Sequence, residues 1–235
     1  MRVIATVSGG KSSAWTAWWA VNHFPKEDVI LYFNDTKWEH EDTYRFLRDL
    51  EAFLGKKIVE DSDGRSPEEL FYDMNALAGN LMPFCSKVLK AQRLERFARE
   101  GDLLVFGFGP DEKERAERTE RRYRRRRVRT LFPLIEENVS KEEVDLFLKE
   151  AGIQEPLLYR LGFKHNNCSG GCVRAGKKQW KLLWEKLPQV YLDRERVERE
   201  VRAFCGRPVS FLKGITLEEF RKQGFPIGRQ SKKVS

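Results

Sequence analysis

The sequence predicts an α/β fold, with a doubly wound, mostly parallel sheet and a small helical extension at the C-terminal end. Two observations support this prediction. From Val3 to Val59, apolar strand-like segments alternate with amphipathic helical ones in the order strand, helix, strand, helix, strand, which is typical of parallel sheets covered by helices. Short turns containing glycine or aspartate follow the first two strands, at the edge where such sheets bind ligands.

Local signals define the individual elements. The first helix ends before Pro25, and the second ends at Gly55. Further helices are expected after Ser66, Ser140 and Thr216, because glutamate follows each of them three residues later in a capping box. The predicted strands are 3–7, 29–33, 57–59 and 103–108, and the main predicted helices are 12–24, 41–54, 86–100 and 194–204.

The composition is that of a globular protein with a real core. Hydrophobic residues make up 40% of the 235 residues and aromatic residues 12%. No apolar run approaches the roughly 20 residues of a membrane span, and there is no secretory signal, so we expect a cytoplasmic protein without a membrane partner. The net charge of +8 and the pI of about 9.3 favour polyanions as partners.

The stretch Ser8-Gly9-Gly10-Lys11-Ser12-Ser13 follows the first strand and leads directly into a helix. Its two glycines let the backbone turn tightly and let a ligand approach closely. The helix start presents unpaired N–H groups and the positive end of its dipole. The stretch therefore predicts a phosphate site. It lacks the spacing of the common P-loop, and an ordinary turn with a surface lysine is the alternative.

Polar residues also follow the second and fourth strands. Asp35 closes the second strand, where it would contact a nucleotide or a Mg²⁺-bound water; the alternative is a turn capped by its own side chain. Gly107 lies at the end of the fourth strand, and Asp111 and Arg115 follow it; an arginine can bind phosphate through two parallel hydrogen bonds. These residues are expected at the same sheet edge as the Ser8–Ser13 loop.

The segment Arg121–Arg129 contains seven arginines. We predict that it contacts the phosphate groups of RNA or DNA. The alternative is an exposed helical face whose arginines pair with the glutamates of residues 112–120.

The four cysteines are Cys85, Cys168, Cys172 and Cys205. In a reducing compartment, such cysteines are more often metal ligands, catalytic thiols or buried small residues than disulfides. Glycines between Cys168 and Cys172 allow this loop to wrap around a ligand. No strong general base is visible, and His40 is a weak candidate.

Six motifs in order resemble the PP-loop ATPases, also called adenine nucleotide alpha hydrolases, and within them the phosphoadenylylsulfate (PAPS) reductase branch. The Ser8–Ser13 loop is similar to their pyrophosphate-binding loop. Residues 32–44 are similar to a segment with Asp-Thr, Glu-His and Thr-Tyr, residues 84–90 to Cys-[Ser/Thr]-x-x-Leu-Lys, and residues 107–115 to Gly-x-x-x-Asp-Glu-x-x-Arg. Residues 132–135 and 159–163, followed by Cys168 and Cys172, continue this order, so the resemblance covers residues 1–190.

The resemblance implies that ATP with Mg²⁺ binds with its triphosphate on the Ser8–Ser13 loop. A substrate oxygen would attack the α-phosphate and release pyrophosphate, and a sulfur or nitrogen nucleophile would then displace AMP. Positioning and electrostatic stabilisation can carry much of such a reaction. The implied nucleotide-binding residues are Ser8, Gly9, Gly10, Lys11, Ser12, Ser13, Asp35 and Gly107, and the implied catalytic residues are Lys11, Asp35, Asp111 and Arg115.

The same resemblance implies a [4Fe–4S] cluster held by Cys85, Cys168 and Cys172, with Cys205 as a fourth ligand or as a free thiol that carries sulfur. A zinc ion or unrelated thiols are the alternatives. On this basis residues 1–190 would form the PP-loop nucleotide-binding domain. Residues 191–235 would form a helical extension with a basic tail from Arg229.

Two departures from the family pattern leave the reaction open. Ser12 stands where the loop usually carries aspartate, and Cys205 lacks the Glu, Ile and His of the reductases' catalytic Glu-Cys-Gly-Ile-His motif. We therefore expect an adenylating enzyme, with sulfur transfer to a nucleic acid or nucleotide. A PAPS-type reductase with an external thiol reductant is the alternative, and a non-catalytic nucleic-acid-binding protein is a third.

Overall fold

The computed structural model describes residues 1–79 and 82–226. Within these residues, five strands form one sheet in the order β3-β2-β1-β4-β5, and every neighbouring pair is parallel. The strands are β1 (Arg2–Val7), β2 (Asp28–Asp35), β3 (Ile58–Ser62), β4 (Leu103–Val105) and β5 (Arg129–Leu131). The strand order reverses between β1 and β4, so the doubly wound α/β sheet predicted from the sequence is confirmed.

Helices cover both faces of the sheet. They are α1 (Lys11–His23), α2 (Glu41–Leu54), α3 (Pro67–Asp73), α4 (Gln92–Phe97), α5 (Lys113–Arg124), α6 (Pro133–Glu136), α7 (Lys141–Glu150), α8 (Leu157–Arg160), α9 (Lys177–Lys186), α10 (Pro188–Cys205) and α11 (Leu217–Lys222). Short 3₁₀ segments lie at Pro110–Glu112 and Cys168–Gly170, and a π-helix at Ser86–Ala91 precedes α4. No helix in the described ranges is long and apolar enough to cross a membrane.

Side chains of the central strands point alternately to the two faces of the sheet, and each face has its own hydrophobic core. Val3 and Ala5 of β1 face the core that α1, α2 and α7 cover, whereas Ile4 faces the core that α4 and α5 cover. Successive side chains of a strand point to opposite faces, and both faces are buried here. This explains why β1 reads as a continuous apolar run rather than an alternating one.

A third core lies beside the sheet. It joins residues of α3, such as Phe71, to Trp180 of α9, Tyr191 and Val201 of α10, and Phe220 of α11. The C-terminal helices that the sequence predicts are present. The predicted domain boundary after residue 190 falls inside α10, and the basic tail predicted from Arg229 lies outside the described residues.

Several predicted bounds differ from the observed ones. The helix predicted over 86–100 is a π-helix followed by α4, which ends at Phe97, and the strand predicted over 103–108 ends at Val105. After β4 the chain passes close to the Ser8–Ser13 loop at Gly107. The helix predicted over 194–204 begins earlier, because Pro188 is suited to the first position of α10. The capping boxes at Ser66, Ser140 and Thr216 are all confirmed.

Candidate functional site

The Ser8–Ser13 loop forms a tight turn between β1 and α1. Gly9 has a φ of 74°, and Gly10 is the N-cap residue of α1 without a side-chain cap. The Ser13 hydroxyl donates to the Gly10 carbonyl at 2.8 Å and accepts the Ser8 N–H at 3.0 Å. Ser13 is buried and closes the loop from inside, so its hydroxyl is already used by the protein itself.

The loop directs backbone donors outwards. At the start of α1, the N–H groups of Lys11, Ser12 and Ser13 have no partner within the helix. The Tyr159 hydroxyl lies beside them, 3.0 Å from the position that a Cβ on Gly10 would take. Burial raises the pKa of Tyr159, and hydrogen bonds from the backbone N–H groups of Lys11 and Asn166 partly offset this shift. A neutral oxygen thus lies where the helix start favours an anion.

Gly107 brings β4 against this loop. A Cβ on Gly107 would lie only 3.0 Å from the Ser12 carbonyl oxygen and from the backbone nitrogen of Ser13. Because the strand order reverses between β1 and β4, this contact lies at the point where doubly wound sheets bind ligands. The predicted proximity of the loop and Gly107 is therefore found in the structure.

Lys11 is held away from the loop's backbone donors by carboxylates. Its Nζ lies 2.5 Å from Asp145 of α7 and 3.1 Å from Glu155, and 4.9 Å from the centre of the Tyr159 ring. Burial lowers the pKa of Lys11, but the hydrogen bonds that its ammonium group donates to Asp145 and Glu155 outweigh this effect, so the pKa is raised. Lys11 is charged at neutral pH, and its predicted phosphate contact would replace these ion pairs.

Asp35 is engaged in the turn that follows β2. One of its carboxylate oxygens accepts the Lys37 N–H at 2.8 Å and the Tyr44 hydroxyl at 2.7 Å. This is the capped turn named above as the alternative to ligand binding. Its predicted roles in nucleotide binding and catalysis stay predictions.

The acidic segment after β4 lies at the surface, and its charged side chains have partners in the protein. Asp111 accepts a hydrogen bond from Lys141 at 2.9 Å, which lowers the pKa of the carboxyl. Glu112 pairs with Arg115 at 2.6 Å, and the Arg115 guanidinium lies over the Phe108 ring at 4.1 Å. Asp111 and Arg115 therefore lie on the β4 side of the loop, each with a protein partner already in place.

Asn166 connects the Ser8–Ser13 loop to the cysteine-containing segment. Its buried side-chain amide donates to the Gly9 carbonyl at 2.8 Å and to the Thr43 hydroxyl at 3.0 Å. The sequence analysis missed this residue, since an asparagine two positions before a cysteine carries no general signal. Its contacts span more than a hundred residues of chain.

The cysteine region comprises Cys85, Cys168, Cys172, Glu39 and Lys90. The Glu39 side chain is fully buried, and it accepts hydrogen bonds from Lys90 at 3.1 Å and from the Cys168 backbone N–H at 3.0 Å. Burial lowers the pKa of Lys90, but the charge of Glu39 outweighs it, so the pKa is raised. An ion pair between the fully buried Glu39 and the half-buried Lys90 therefore anchors the loop that carries the cysteines. The sequence analysis named His40 but not its neighbour Glu39. The His40 ring caps α2 by accepting the Asp42 N–H.

The Cys168 and Cys172 thiols lie close enough to shift each other's pKa. Left-handed backbone at Cys168 (φ 49°) and Ser169 (φ 51°) folds the segment back so that the two side chains meet. The interaction between the two thiols lowers the pKa of Cys172 and raises that of Cys168, and burial raises the pKa of Cys168 further. Burial and the neighbouring Cys172 raise the pKa of the Cys85 thiol.

The predicted metal-ligand set is not assembled. In residues 1–79 and 82–226, no group of three or more His, Cys, Asp or Glu side chains is arranged to hold a metal ion. Cys205 is the last residue of α10 and packs at the border of the third core. The ligand set of Cys85, Cys168, Cys172 and Cys205 stays a prediction.

The arginine-rich segment lies at the opposite edge of the sheet. The Arg127 carbonyl accepts the Gly101 N–H at 3.0 Å, just before β4 begins. Because α5 has 12 residues, its two ends are about 18 Å apart. Glu114 and Glu120 pair with arginines of α5, which agrees with the alternative interpretation of this segment as an exposed helical face with paired charges. A cavity of about 450 Å³, here called the arginine groove, is nevertheless lined by Arg118, Arg121, Arg122, Arg125 and Arg126.

Comparison with known proteins identifies the family. Residues 2–174 match the family described as the phosphoadenosine phosphosulfate reductase domain. The chain belongs to this family. The matched part contains the Ser8–Ser13 loop and the whole cysteine region, and it ends before Cys205. The family resemblance predicted from the sequence is thereby confirmed.

Curated proteins and solved structures were compared as well. No curated protein matches the chain. Among solved structures, the chain is similar to the U34-tRNA thiolase NcsA from Methanococcus maripaludis, which was solved with its [4Fe–4S] cluster. The sequence identity is 13%, the match covers 95% of this chain and 80% of that one, and the TM-score is 0.41. A likeness of this extent carries no conclusion about substrate or cofactor.

Proposed function

We propose that this member of the PAPS reductase family is an enzyme that binds ATP with Mg²⁺ on the Ser8–Ser13 loop and cleaves it between the α- and β-phosphates. The observation that carries the proposal is the loop itself. A Gly9-Gly10 turn opens α1 with its N–H donors outwards, and Gly107 closes against it where the strand order reverses. This is the geometry in which backbone groups hold a pyrophosphate.

In the proposed reaction, a substrate oxygen forms a bond to the α-phosphorus, and the bond to the bridging oxygen breaks. The electron pair leaves with pyrophosphate. The N–H groups at the start of α1 would stabilise the charge that develops on it, and Lys11 would exchange Asp145 and Glu155 for the phosphates. ATP enters as its Mg²⁺ complex, in which phosphate oxygens and water are the main ligands.

Sulfur transfer is the proposed second half of the reaction. A sulfur nucleophile attacks the adenylated carbon, and AMP leaves with the electron pair. Asn166 ties the Ser8–Ser13 loop to the segment that carries Cys168, so both halves lie within one connected site. The sulfur donor is external to the chain.

A sulfonucleotide reductase is the second candidate. The family match and the paired thiols of Cys168 and Cys172 favour it. Two observations count against it: the matched region ends before Cys205, and that cysteine lacks the motif residues expected around it. This candidate requires an external thiol reductant and no ATP cleavage.

The proposed macromolecular partner is RNA or DNA, held by its phosphates in the arginine groove. Five guanidinium groups around one cavity form a surface that neutralises several phosphates at once. Since the groove and the Ser8–Ser13 loop lie at opposite edges of the sheet, the groove would anchor a nucleic acid at a distance rather than position the reacting atoms. A protein that only binds nucleic acid would use the same groove.

A pyrophosphate-release assay under anaerobic conditions tests the proposal. The wild-type chain is expected to release pyrophosphate from ATP with Mg²⁺, with RNA or DNA present as acceptor. Lys11→Ala is expected to remove this activity, and Lys149→Ala, an exposed lysine of α7, to retain it. Sulfite release from PAPS would favour the reductase instead. Nucleic-acid binding without either product would leave only the binding function.

A further inference from the structure

A second cavity lies between the segment after β2 and the first turn of α10. Its volume is about 320 Å³, in the range of small-molecule sites. It is lined by Lys37, Trp38, Glu39, Ser169, Gln189, Val190, Asp193 and Arg194. Half of this lining comes from α10, which lies beyond the part of the chain that matches the family.

Arg194 is the unusual member of this lining. Only 4% of the residue is exposed, and its guanidinium lies 3.6 Å from the centre of the Trp38 ring. It has a carboxylate partner in Asp193 at 2.5 Å, and its Nε has no hydrogen-bond partner among the described residues. Arginines buried to this degree are normally fully paired, so the guanidinium retains capacity for a further acceptor.

The lining carries two cationic side chains, Lys37 and Arg194, and two carboxylates, Glu39 and Asp193, which already have partners. Asp193 is shared, since Arg196 donates to its other oxygen at 2.9 Å. Glu39 is shared with Lys90 and is fully buried. Lys37 is exposed at the cavity wall, and in the described part of the chain no carboxylate pairs with it. Both cationic side chains line the cavity, and its carboxylates each have a cationic partner in the protein.

The cavity borders the cysteine region. Ser169 and Glu39 line it, and Glu39 also holds the backbone N–H of Cys168. A Cβ on Gly171 would lie 3.2 Å from Nε of Arg194, so this glycine allows the guanidinium to approach the cysteine-bearing loop. A molecule in the cavity would thus be adjacent to Cys168.

We propose that this cavity binds the oxyanion group of a small organic second substrate, with Arg194 and Lys37 as its ligands. This proposal rests on the proposed function, because it is the sulfur-transfer step that requires a second substrate beside the cysteines. Val190 and Trp38 supply apolar walls for the organic part, and a guanidinium matches the two oxygens of a carboxylate, sulfate or phosphate.

Site-specific NMR of the full-length chain tests the proposal without nucleotide. The Nε–H signal of Arg194 is identified by its loss in Arg194→Lys and is followed during titration with sodium acetate or sodium sulfate. A shift with acetate alone assigns a carboxylate, a shift with sulfate alone assigns a tetrahedral oxyanion, and a shift with both supports the general oxyanion site. The apparent affinity is expected to fall at least threefold in Lys37→Gln.

The matched control is Arg199→Gln, an exposed arginine of the same helix, which is expected to leave the titration unchanged. No shift with either anion would overturn the proposal. An unchanged affinity in Lys37→Gln, whose exposed side chain is not needed for folding, would also overturn it. Because pyrophosphate release is measured separately, failure of this site and failure of the proposed ATP chemistry are distinguishable.

Discussion

The Ser8–Ser13 loop and the cysteine region are built in different ways. The loop is shaped by adjacent residues, because Ser13 bonds to Ser8 and Gly10 within the same turn. The cysteine region brings together three separate segments, around Glu39, Lys90 and Cys168, through one buried carboxylate. A local motif can therefore form wherever the strand and helix form, whereas the cysteine region exists only when the third core is packed.

Asn166 is the point at which the two regions meet. It belongs to the segment that leads into Cys168, but its hydrogen bonds go to Gly9 and Thr43 at the loop. Changes to the loop, to this link and to the third core should consequently have different and separable effects.

The largest effect is expected from Gly9→Ala. Its φ of 74° is strained for any residue with a Cβ, and the added carbon would lie 2.4 Å from the Thr43 methyl group. We expect a loss of about 3 kcal/mol in the free energy of unfolding, from backbone strain and overpacking together. Nucleotide binding, measured by calorimetry, should weaken by about 100-fold or more.

Gly64→Ala is the matched control. Gly64 also has a positive φ, of 93°, but a Cβ there would meet no atom within 4 Å. Urea unfolding should show a loss of only about 1 kcal/mol, from the backbone strain alone. Equal losses in the two variants would show that Thr43 does not confine the loop.

The sequence predicted the locally determined features well. The parallel, doubly wound sheet follows from the alternation of strands and helices, and the capped helices follow from motifs such as that of Ser140 to Glu143. The loop and its contact with Gly107 follow from the rule that ligands bind where strand order reverses.

The features that depend on tertiary packing were not predictable in this way. The buried position of Arg194 and the role of Asn166 require long-range contacts, and nothing in their neighbouring residues indicates them. The sequence could not decide between ligand binding and a capped turn for Asp35, because the choice depends on where the Tyr44 hydroxyl lies. The position of the arginine groove could not be predicted either, because it depends on the direction in which α5 runs relative to the sheet.

Asn166→Ala is expected to have the next largest effect. It would leave the Gly9 carbonyl and the Thr43 hydroxyl without their buried donor, at a cost of about 2 kcal/mol. Because the link is lost, nucleotide affinity and the environment of the Cys168 thiol should change together. Urea unfolding and the rate of thiol alkylation measure the two effects.

The control for this link is Asn22→Ala. Asn22 is exposed and donates to the Trp18 carbonyl within its own helix, so the loss in stability should be within about 0.5 kcal/mol. If Asn166→Ala changes stability without changing thiol alkylation, the two regions are not coupled through this residue.

A pH dependence is expected from the third core. Burial raises the pKa of Glu198 from 4.5 to about 7, against the opposing effect of its hydrogen bonds from the Phe211 and Leu217 backbones. Between these two pH values the folded state holds a proton that the unfolded state has lost, so stability falls as pH rises. The slope is at most about 1.4 kcal/mol per pH unit.

Urea unfolding from pH 5 to 8 measures this slope. Glu198→Gln should flatten it, and Glu185→Gln, which changes an exposed carboxylate of α9, should leave it unchanged. A wild-type stability that rises through this window would contradict the assignment to Glu198.

The smallest effect is expected at the arginine groove. Arg125 is exposed in the groove, and no ion pair of this residue is found in the described ranges, whereas Arg124 pairs with Glu120. Arg125→Ala should weaken binding to single-stranded RNA severalfold and lower the slope of log K against log salt by about 1. Arg124→Ala should change that slope less, and nucleotide binding measured without RNA should be unaffected by both.

Calorimetric titration with Mg²⁺ and α,β-methylene-ATP is the most direct measurement of the central claim that nucleotide phosphates bind on the Ser8–Ser13 loop. The wild-type chain is expected to bind one equivalent. Gly107→Ala, whose Cβ would press on the backbone of Ser12 and Ser13, should lose most of this affinity. Gly109→Ala, whose Cβ would meet only the movable Asp111 side chain, should retain it. No binding to the wild-type chain, or equal affinity in the two variants, would contradict the claim.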